Sequence, residues 1–518
     1  MAKIWKICQF ILIPVLLSGF VTFKLSAQTQ ILENKYSFSF ANTTYASVID
    51  SLRLKVKCGV SYGPDIFPRE KKYNAIFSNE KLKAILDSIL TPINFSYKVI
   101  DNNIVILQKE VVKSENKDQF TMEGIDTMKF IKLSGKVVDR NDHKPIEYTN
   151  IYIKNRNIGS MTNANGNFAV KLPRGSSNDS IYFSCIGYKP LHKKIGDMHP
   201  EGNIIDLEVN SIQLKEIKVK PINIEEVIKT ALQNIPQNYS RIPLNLISFY
   251  REIIQQNGEY VGLSEAVLNI YKASYNSYLN DQVAIYKGRK SRFIKQMDTV
   301  LFKFQGGIST SLMLDIAKNP SNFITDEYIK YYNFTVDDIV TVEGRPTFVI
   351  GFDQNNYSPY PLYKGKLYID MDAYAIVRVD FMISPNGMDN AADFLIKKSS
   401  RRLKVKPTFS SYIVNYTMQN NKWYLNYIRE EVEFKIRKKY SFYSSTFRSK
   451  AEMLITQTDS VDVQRIKFNK TVRLNDIFIE KLGKYDPEFW GGFNVIKPDE
   501  SLEKALQKIK GKLPKKED

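Results

Sequence analysis

Leu133-Ser134-Gly135-Lys136-Val137-Val138-Asp139, a turn over residues 141–145, and Glu147-Tyr148-Thr149-Asn150-Ile151-Tyr152-Ile153 are the residues whose reading decides the fold. Ile158-Gly159-Ser160-Met161-Thr162, the turn Asn163-Ala164-Asn165-Gly166 and Asn167-Phe168-Ala169-Val170-Lys171-Leu172 follow. Phe168, Val170 and Leu172 alternate with Asn167, Ala169 and Lys171, which is the period of a strand with one buried face. The Asn165-Gly166 step supplies the positive φ of a tight hairpin. Short strands at close spacing with turn residues between them predict a β-sandwich over residues 131–219, closed by Leu214-Lys215-Glu216-Ile217-Lys218-Val219.

Working outward, the 518 residues exceed the length of one domain. The aromatic residues are dominated by 31 Tyr and 30 Phe, types that favour half-buried pleated surfaces, so the chain is expected to be multidomain and β-rich. Residues 1–27 carry Lys3 and Lys6, an apolar run from Ile7 to Phe23 broken by Pro14, and Leu25-Ser26-Ala27 before Gln28. That order is the order of a secretory signal peptide and predicts export. Removing it takes away three lysines and no acid, so the formal charge falls from +19 to +16. Basic residues are dispersed and accompany no nucleic-acid motif, so the charge predicts affinity for an anionic lipid or polysaccharide surface and no nucleic-acid partner. The two cysteines beyond the signal, Cys58 and Cys185, fall in different predicted domains and are read as packed thiols rather than a disulfide.

The pattern Gly135-x-Val137-x-Asp139, a Pro-Ile step, residues 162–166 and Phe183-Ser184-Cys185-Ile186-Gly187-Tyr188 resembles the carboxypeptidase regulatory-like domain. The resemblance implies a transthyretin-like sandwich that carries no catalysis. Before it, residues 36–108 read as a strand at Tyr36-Ser37-Phe38-Ser39-Phe40 and a helix with Val48, Ile49, Leu52 and Val56 on one face after a Thr43-Thr44 cap. A strand at 59–62, a second helix with Leu82, Ile85, Leu86, Ile89 and Leu90 after Ser78, and a closing hairpin around Asp101-Asn102-Asn103 complete a small α/β domain. These features resemble the secretin and TonB short N-terminal domain, STN. That resemblance implies a partner protein in a Gram-negative envelope, and a location in the periplasm or at the outer membrane. Residues 109–130 are rich in Lys, Glu, Asp and Gln and read as a tether.

Residues 220–243 predict an amphipathic helix capped by Asn223, with Ile224, Val227, Ile228, Ala231, Leu232 and Ile235 on one stripe that packs on its own domain and stops at Pro236. Residues 244–518 read as successive antiparallel hairpins, with turns at Glu343-Gly344-Arg345, 371–374 and 419–422. The hairpin at 365–379 resembles the sheet of lipoprotein-carrier-like half-barrels, and an open half-barrel is favoured over a closed one, because many strands look too short for a membrane barrel and charges such as Arg429, Glu430 and Glu431 fall on both faces. The cluster at 485–494 with Gly491-Gly492 is expected to plug the sheet edge, ahead of a helix with Leu502, Ala505, Leu506 and Ile509.

No catalytic, cofactor or metal constellation emerges. His143, His192 and His199 lack zinc-ligand spacing, and none of the carboxylate pairs Asp337/Asp338, Asp370/Asp372, Asp389/Asp393 and Glu430/Glu431 is read as catalytic, Asp370 and Asp372 sitting at a hairpin tip where acids serve the turn. Gly306-Gly307-Ile308-Ser309-Thr310 is not a nucleophile elbow, and no phosphate-binding glycine loop occurs. The expectation is a non-enzymatic envelope protein of binding, scaffold or carrier type. Two rivals stand beside it: a hydrolase using C-terminal carboxylates in a sheet-lined cleft, and an outer-membrane barrel related to TonB-dependent systems.

Overall fold

The computed structural model describes residues 31–56, 59–61, 72–93, 95–100, 103–108, 122–127, 129–153, 156–210, 223–292, 302–304, 307–320, 323–325, 327–358, 360–399, 401–472, 483–484 and 489–510. The chain divides into two compact units between residues 116 and 117. The signal segment, Cys58, most of the tether and the strand expected at 214–219 lie outside the described residues.

The first unit runs β1 (Lys35–Thr44), α1 (Tyr45–Lys55), β2 (Gly59–Ser61), β3 (Lys72–Lys81), α2 (Leu82–Leu90), β4 (Phe95–Ile100) and β5 (Asn103–Gln108). β1 pairs antiparallel with β3, while β2, β5 and β4 form a second sheet. Thr44 caps α1 by accepting from the Ser47 N–H, and Val48, Ile49 and Leu52 meet Ile85, Leu86 and Ile89 in the core. α2 starts at Leu82, later than Ser78 suggested, with no side-chain cap. In β3 Tyr73 is the one fully buried side chain, with Ala75 and Phe77 half-buried on the same face, so its alternation is weak.

The second unit opens with α3 (Met122–Thr127), so the end of the expected tether is a helix whose Met122 and Ile125 are buried. β6 (Phe130–Asp139), β9 (Asn167–Pro173) and β12 (Asn203–Leu207) form one sheet of the sandwich. β7 (Asn150–Ile153), β8 (Ile158–Met161), β10 (Ser180–Ser184) and β11 (Leu191–Lys194) form the other. Phe168, Val170 and Leu172 point inward against Val137, Ile181 and Phe183, as the alternation predicts. Asn163–Gly166 does not close a hairpin, because β8 and β9 belong to different sheets. It is an arch in which Asn163 Oδ1 accepts the N–H groups of Asn165 and Asn167, and Gly166 has φ +72°.

α4 (Ile224–Gln233) is capped by Asn223 and buries Val227, Ile228 and Ala231; α5 (Ile235–Asn238) is a further single turn through Pro236, so helix continues past the proline while the apolar stripe ends at Ile235. The strands that follow are β13 (Leu244–Gln256), β14 (Glu259–Lys272), β15 (Gln282–Arg292), β16 (Phe302–Phe304), β17 (Tyr332–Val342), β18 (Arg345–Gln354) and β19 (Tyr363–Asp370). They continue with β20 (Ile376–Ile383), β21 (Ile396–Ser399), β22 (Leu403–Gln419), β23 (Lys422–Lys438), β24 (Ser444–Asp459) and β25 (Gly483–Lys484). The sheet order is β25-β15-β14-β13-β24-β23-β22-β20-β19-β18-β17, an open half-barrel to whose β24 the sandwich strand β8 adds through Ile158 and Gln457. Its inner face is filled by α4, α6 (Ile308–Met313) and α7 (Ala392–Leu395). The sheet is an open half-barrel and not a closed membrane barrel: its inner face is an apolar core, and the middle of its outer face is covered by the C-terminal segment. Among the described residues no helix is long and apolar enough to cross a membrane.

The outer face explains the charges that the sequence showed on both sides of these strands. Arg289, Glu265, Arg251, Glu452 and Arg429 stand directly opposite one another across β15, β14, β13, β24 and β23, so their signs alternate across five strands. Arg251 Nε and Arg289 Nε each donate to Glu265 at 2.8 Å, and Tyr427 donates to Glu452 at 3.0 Å. Trp490, Phe493 and Ile496 seal the row: Arg289 stacks 4.6 Å from the Trp490 ring, and Arg251 donates to the Ile496 carbonyl at 2.7 Å. The C-terminal aromatic segment thus covers the face of the sheet rather than its edge, and α8 (Glu500–Lys510) adds Leu502 beside Ile253 and Leu263. Glu265→Ala removes the carboxylate shared by two buried guanidinium groups and is expected to lower the unfolding free energy by about 3–5 kcal/mol, measured by urea titration.

Candidate functional site

On the inner face the packing leaves a cavity of about 380 Å³, within the range of small-molecule sites. Its wall is built by strand alternation. On β23 the residues Glu430 and Val432 point inward while Arg429 and Glu431 point outward, and on β24 Ser449 and Ala451 do the same between Lys450 and Glu452. Phe381, Tyr412 and Phe323 supply an aromatic wall, with Phe381 stacked 4.9 Å from Tyr412 and meeting Phe323 edge-on at 5.0 Å. Thr310 and Met313 of α6 and Leu395 of α7 close it from above.

The segment after α6 is held by an ionic anchor. Asp315 is fully buried and accepts from the Tyr416 hydroxyl at 2.7 Å, the Tyr275 hydroxyl at 3.0 Å and Lys272 Nζ at 2.5 Å. Burial alone would lower the Lys272 ammonium, yet Asp281 and Asp315 beside it raise it. Lys318 Nζ donates to the carbonyls of Ser274 and Ser277, so this segment is tied to the chain leaving β14.

Two carboxyls enter the cavity. Glu252 on β13 and Glu430 on β23 are both register partners of Ala451 on the strand between them, so they lie on one wall with Cα atoms about 10 Å apart. Ser311 of α6 donates to Glu430 Oε1 at 2.8 Å; the Tyr250 hydroxyl lies 3.4 Å from Glu252 Oε2. Among the described residues, no Lys, Arg or His lines the cavity. Burial pushes the Glu252 carboxyl up to about 7 and, with the charge of Glu252 adding to it, Glu430 up to about 8, against the hydrogen bonds from Tyr250 and Ser311. Glu452, one residue along from Ala451 and facing the opposite way, is equally desolvated, but Lys450 and Arg251 hold it down to about 2. The face of the sheet decides the protonation state.

The other acids singled out in the sequence lie elsewhere. Asp370 is buried in its hairpin, where it accepts from Arg345 and from the Asp372 and Ala373 N–H groups, and Asp372 meets the same arginine at 3.3 Å. Asp337 accepts from Thr335 at 2.7 Å, Asp338 from the Ile339 N–H at 2.7 Å, and exposed Asp389 pairs with Lys406 at 2.8 Å, with Asp393 also exposed. Glu430 and Glu431 do not act together, because neighbours on a strand face opposite ways: Glu431 joins Arg429 and Arg448 outside. The partner of Glu430 is Glu252, 178 positions earlier, a pairing that only the β13-β24-β23 strand order reveals. His143 lies in an exposed turn, His192 stacks on Tyr182 and His199 is exposed. Cys185 is a free thiol that burial pushes up.

Residues 133–219 match the family described as CarboxypepD_reg-like domain. The sandwich is a CarboxypepD_reg-like domain. Its match ends at residue 219, before the first strand of the half-barrel that holds the cavity. No curated protein matches the chain in sequence. Among solved structures, a DUF1329 family protein from Desulfovibrio piger aligns at 8% identity over 47% of this chain and 95% of its own, with a TM-score of 0.23. A LolA superfamily protein from Nitrosomonas europaea aligns at 9% identity over 47% of this chain and 98% of its own, with a TM-score of 0.19. Lipovitellin aligns at 9% over 44% of this chain and 26% of its own, with a TM-score of 0.20. None of these likenesses bears on the cavity.

Because Glu430 is raised above its ordinary value of 4.5, the folded chain holds that proton to higher pH than the unfolded chain does. The parent therefore loses stability as pH rises from about 4.5 and the loss levels beyond about 8. Glu430→Gln keeps the acceptor for Ser311 and removes the titration. Its stability relative to the parent is expected to rise across that window, on the order of 1 kcal/mol per pH unit, read by chemical unfolding at a series of pH values.

Proposed function

We propose that the protein is a non-enzymatic binding or carrier component of a Gram-negative cell envelope, whose half-barrel takes an apolar group of its ligand into the inner cavity. The carrying observation is that cavity: about 380 Å³ walled by aromatic and aliphatic side chains in the middle of an otherwise filled sheet. A well-packed domain leaves few voids larger than a water molecule, so a space of this size is a feature of the design rather than a packing fault. The CarboxypepD_reg-like domain supports the reading as a rigid neighbour joined to β24. Export on the signal-like residues 1–27 and a protein partner for the STN-like residues 36–108 complete it.

The rival hydrolase draws on Glu252 and Glu430, but their arrangement argues for binding. Acid–base catalysis needs two groups whose environments push their proton affinities apart, so that one is charged while the other is not. Here one apolar wall raises both, to about 7 and about 8. Such a pair gives the cavity a polar end that accepts and donates hydrogen bonds.

Uptake of the uncharged fluorescent probe N-phenyl-1-naphthylamine tests the cavity. Ala451→Phe, placed between the two glutamates, is expected to weaken uptake by about tenfold or more, while Val432→Ala, which enlarges the space, retains it. Equal binding by parent and Ala451→Phe would place the probe elsewhere and remove the carrier reading. Intact mass of the protein recovered from an envelope fraction is expected to correspond to a chain beginning at Gln28.

A further inference from the structure

The β23–β24 hairpin ends in Lys438-Lys439-Tyr440-Ser441-Phe442-Tyr443, and three of its aromatic rings stand in solvent: Tyr440 is 93%, Phe442 98% and Tyr443 88% exposed. The tip is nevertheless built. Tyr440 takes the left-handed conformation at φ +71°, which bulky residues rarely adopt. The Ser441 N–H bonds the Lys438 carbonyl at 3.0 Å, the Tyr443 N–H bonds Ser441 Oγ at 3.1 Å, and the Lys439 N–H bonds the carbonyl of Arg402, just before β22, at 2.7 Å. A folded turn that projects three rings away from any core is making them available.

The strands beneath the tip carry a second anomaly. Lys404 on β22 is the register partner of Arg437 on β23, and Lys406 that of Lys435, so like charges face each other directly on two successive rungs of the outer face. Like charges in that position are destabilising. With Arg401, Arg402, Lys438 and Lys439 the end of the sheet gathers eight cations, and residues 401–406 and 435–444 include no acid. Among the described residues, Asp389 pairs with Lys406, Glu433 meets Arg448 at 3.5 Å, and Glu259 opens β14. Elsewhere the same sheet alternates its charges without fault over five strands.

We infer that this hairpin tip is a membrane-docking element, its three aromatic rings entering the headgroup region of a bilayer and the opposed lysines and arginines beneath them meeting anionic phospholipid headgroups. Aromatic rings with polar edges settle at the bilayer interface, and basic residues near the surface are drawn to anionic lipid over roughly the Debye length. An anionic polysaccharide would satisfy the cations, but three rings 88–98% exposed at the end of a hairpin are placed for insertion rather than for stacking against a bound sugar. The inference stands apart from the cavity, since it uses none of the cavity's residues; β23 links the two, running from Val432 in the cavity wall to Lys438 at the base of the tip, about 20 Å further along.

Co-sedimentation of the full chain with phosphatidylcholine vesicles, with and without phosphatidylglycerol, tests it. Binding is expected only to the mixed vesicles, and to fall steeply with salt. The triple variant Tyr440→Ser, Phe442→Ser, Tyr443→Ser and the triple variant Lys404→Gln, Lys435→Gln, Arg437→Gln are each expected to weaken it by about tenfold or more. The charge variant is also expected to be at least as stable as the parent, since it relieves opposed like charges. In Phe442→Trp the new indole should shift its emission to the blue on adding mixed vesicles. An aromatic variant that binds as tightly as the parent would overturn the inference, as would a charge variant that unfolds more readily than the parent, or retention of the parent by heparin with none by the vesicles. Probe uptake measured on the same variants should be unchanged, which separates failure of the tip from failure of the cavity.

Discussion

The row Arg289, Glu265, Arg251, Glu452 and Arg429 fixes the register of the half-barrel, and most of the architecture follows from that register. A slip of one residue in any of the five strands would turn its charge into the apolar inner face and a large apolar side chain outward. The row is buried, so it needs cover that can meet guanidinium and carboxylate groups as well as exclude water. The C-terminal segment provides it with the Trp490 ring and the Ile496 carbonyl, and the chain leading into β7 provides it with Tyr148, which stacks on Tyr427 and accepts from Arg429 at 2.5 Å. Sandwich, sheet and C-terminus are thus one unit because they share one buried electrostatic row.

The same register sets the chemistry of the cavity. With Arg251, Glu452 and Arg429 committed outward, their neighbours Glu252, Ala451 and Glu430 must face inward. Ala451 leaves the space, and the glutamates on either side become the polar end of an apolar chamber. Three glutamates within two strands of one another, Glu252, Glu430 and Glu452, therefore hold protons at about 7, about 8 and about 2. Neither composition nor position along the chain separates them; the cations on the outer face do.

Much of the fold was legible from local patterns. The hairpins turning at Glu343-Gly344, 371–374 and Asn420-Asn421 and the alternation of Phe168, Val170 and Leu172 sit where short-range periodicity put them. The half-barrel itself was read from its hairpins, because antiparallel neighbours in sequence are neighbours in space. What escaped depended on distant partners. β3 alternates only weakly, with Tyr73 buried and Ala75 and Phe77 half-buried, and the arch at Gly166 has hairpin chemistry but joins two sheets. The cavity wall needs β13 beside β24, a contact across some 200 residues, so the adjacent pair Glu430/Glu431 drew attention while the true neighbour of Glu430 went unseen.

The sheet treats charge in two ways, and the contrast separates residues that hold the fold from residues that do not. In its middle, opposite charges alternate, are buried and are sealed by aromatic rings, which is the arrangement that stability requires of ions withdrawn from water. At the β22–β23 end, cation faces cation in solvent beneath three uncovered rings. A sequence able to order five alternating charges across five strands has no structural need for Lys404 opposite Arg437 or Lys406 opposite Lys435. A negative surface outside the protein would supply counter-charge for Lys404, Lys435 and Arg437 beyond the one pair that Asp389 makes with Lys406.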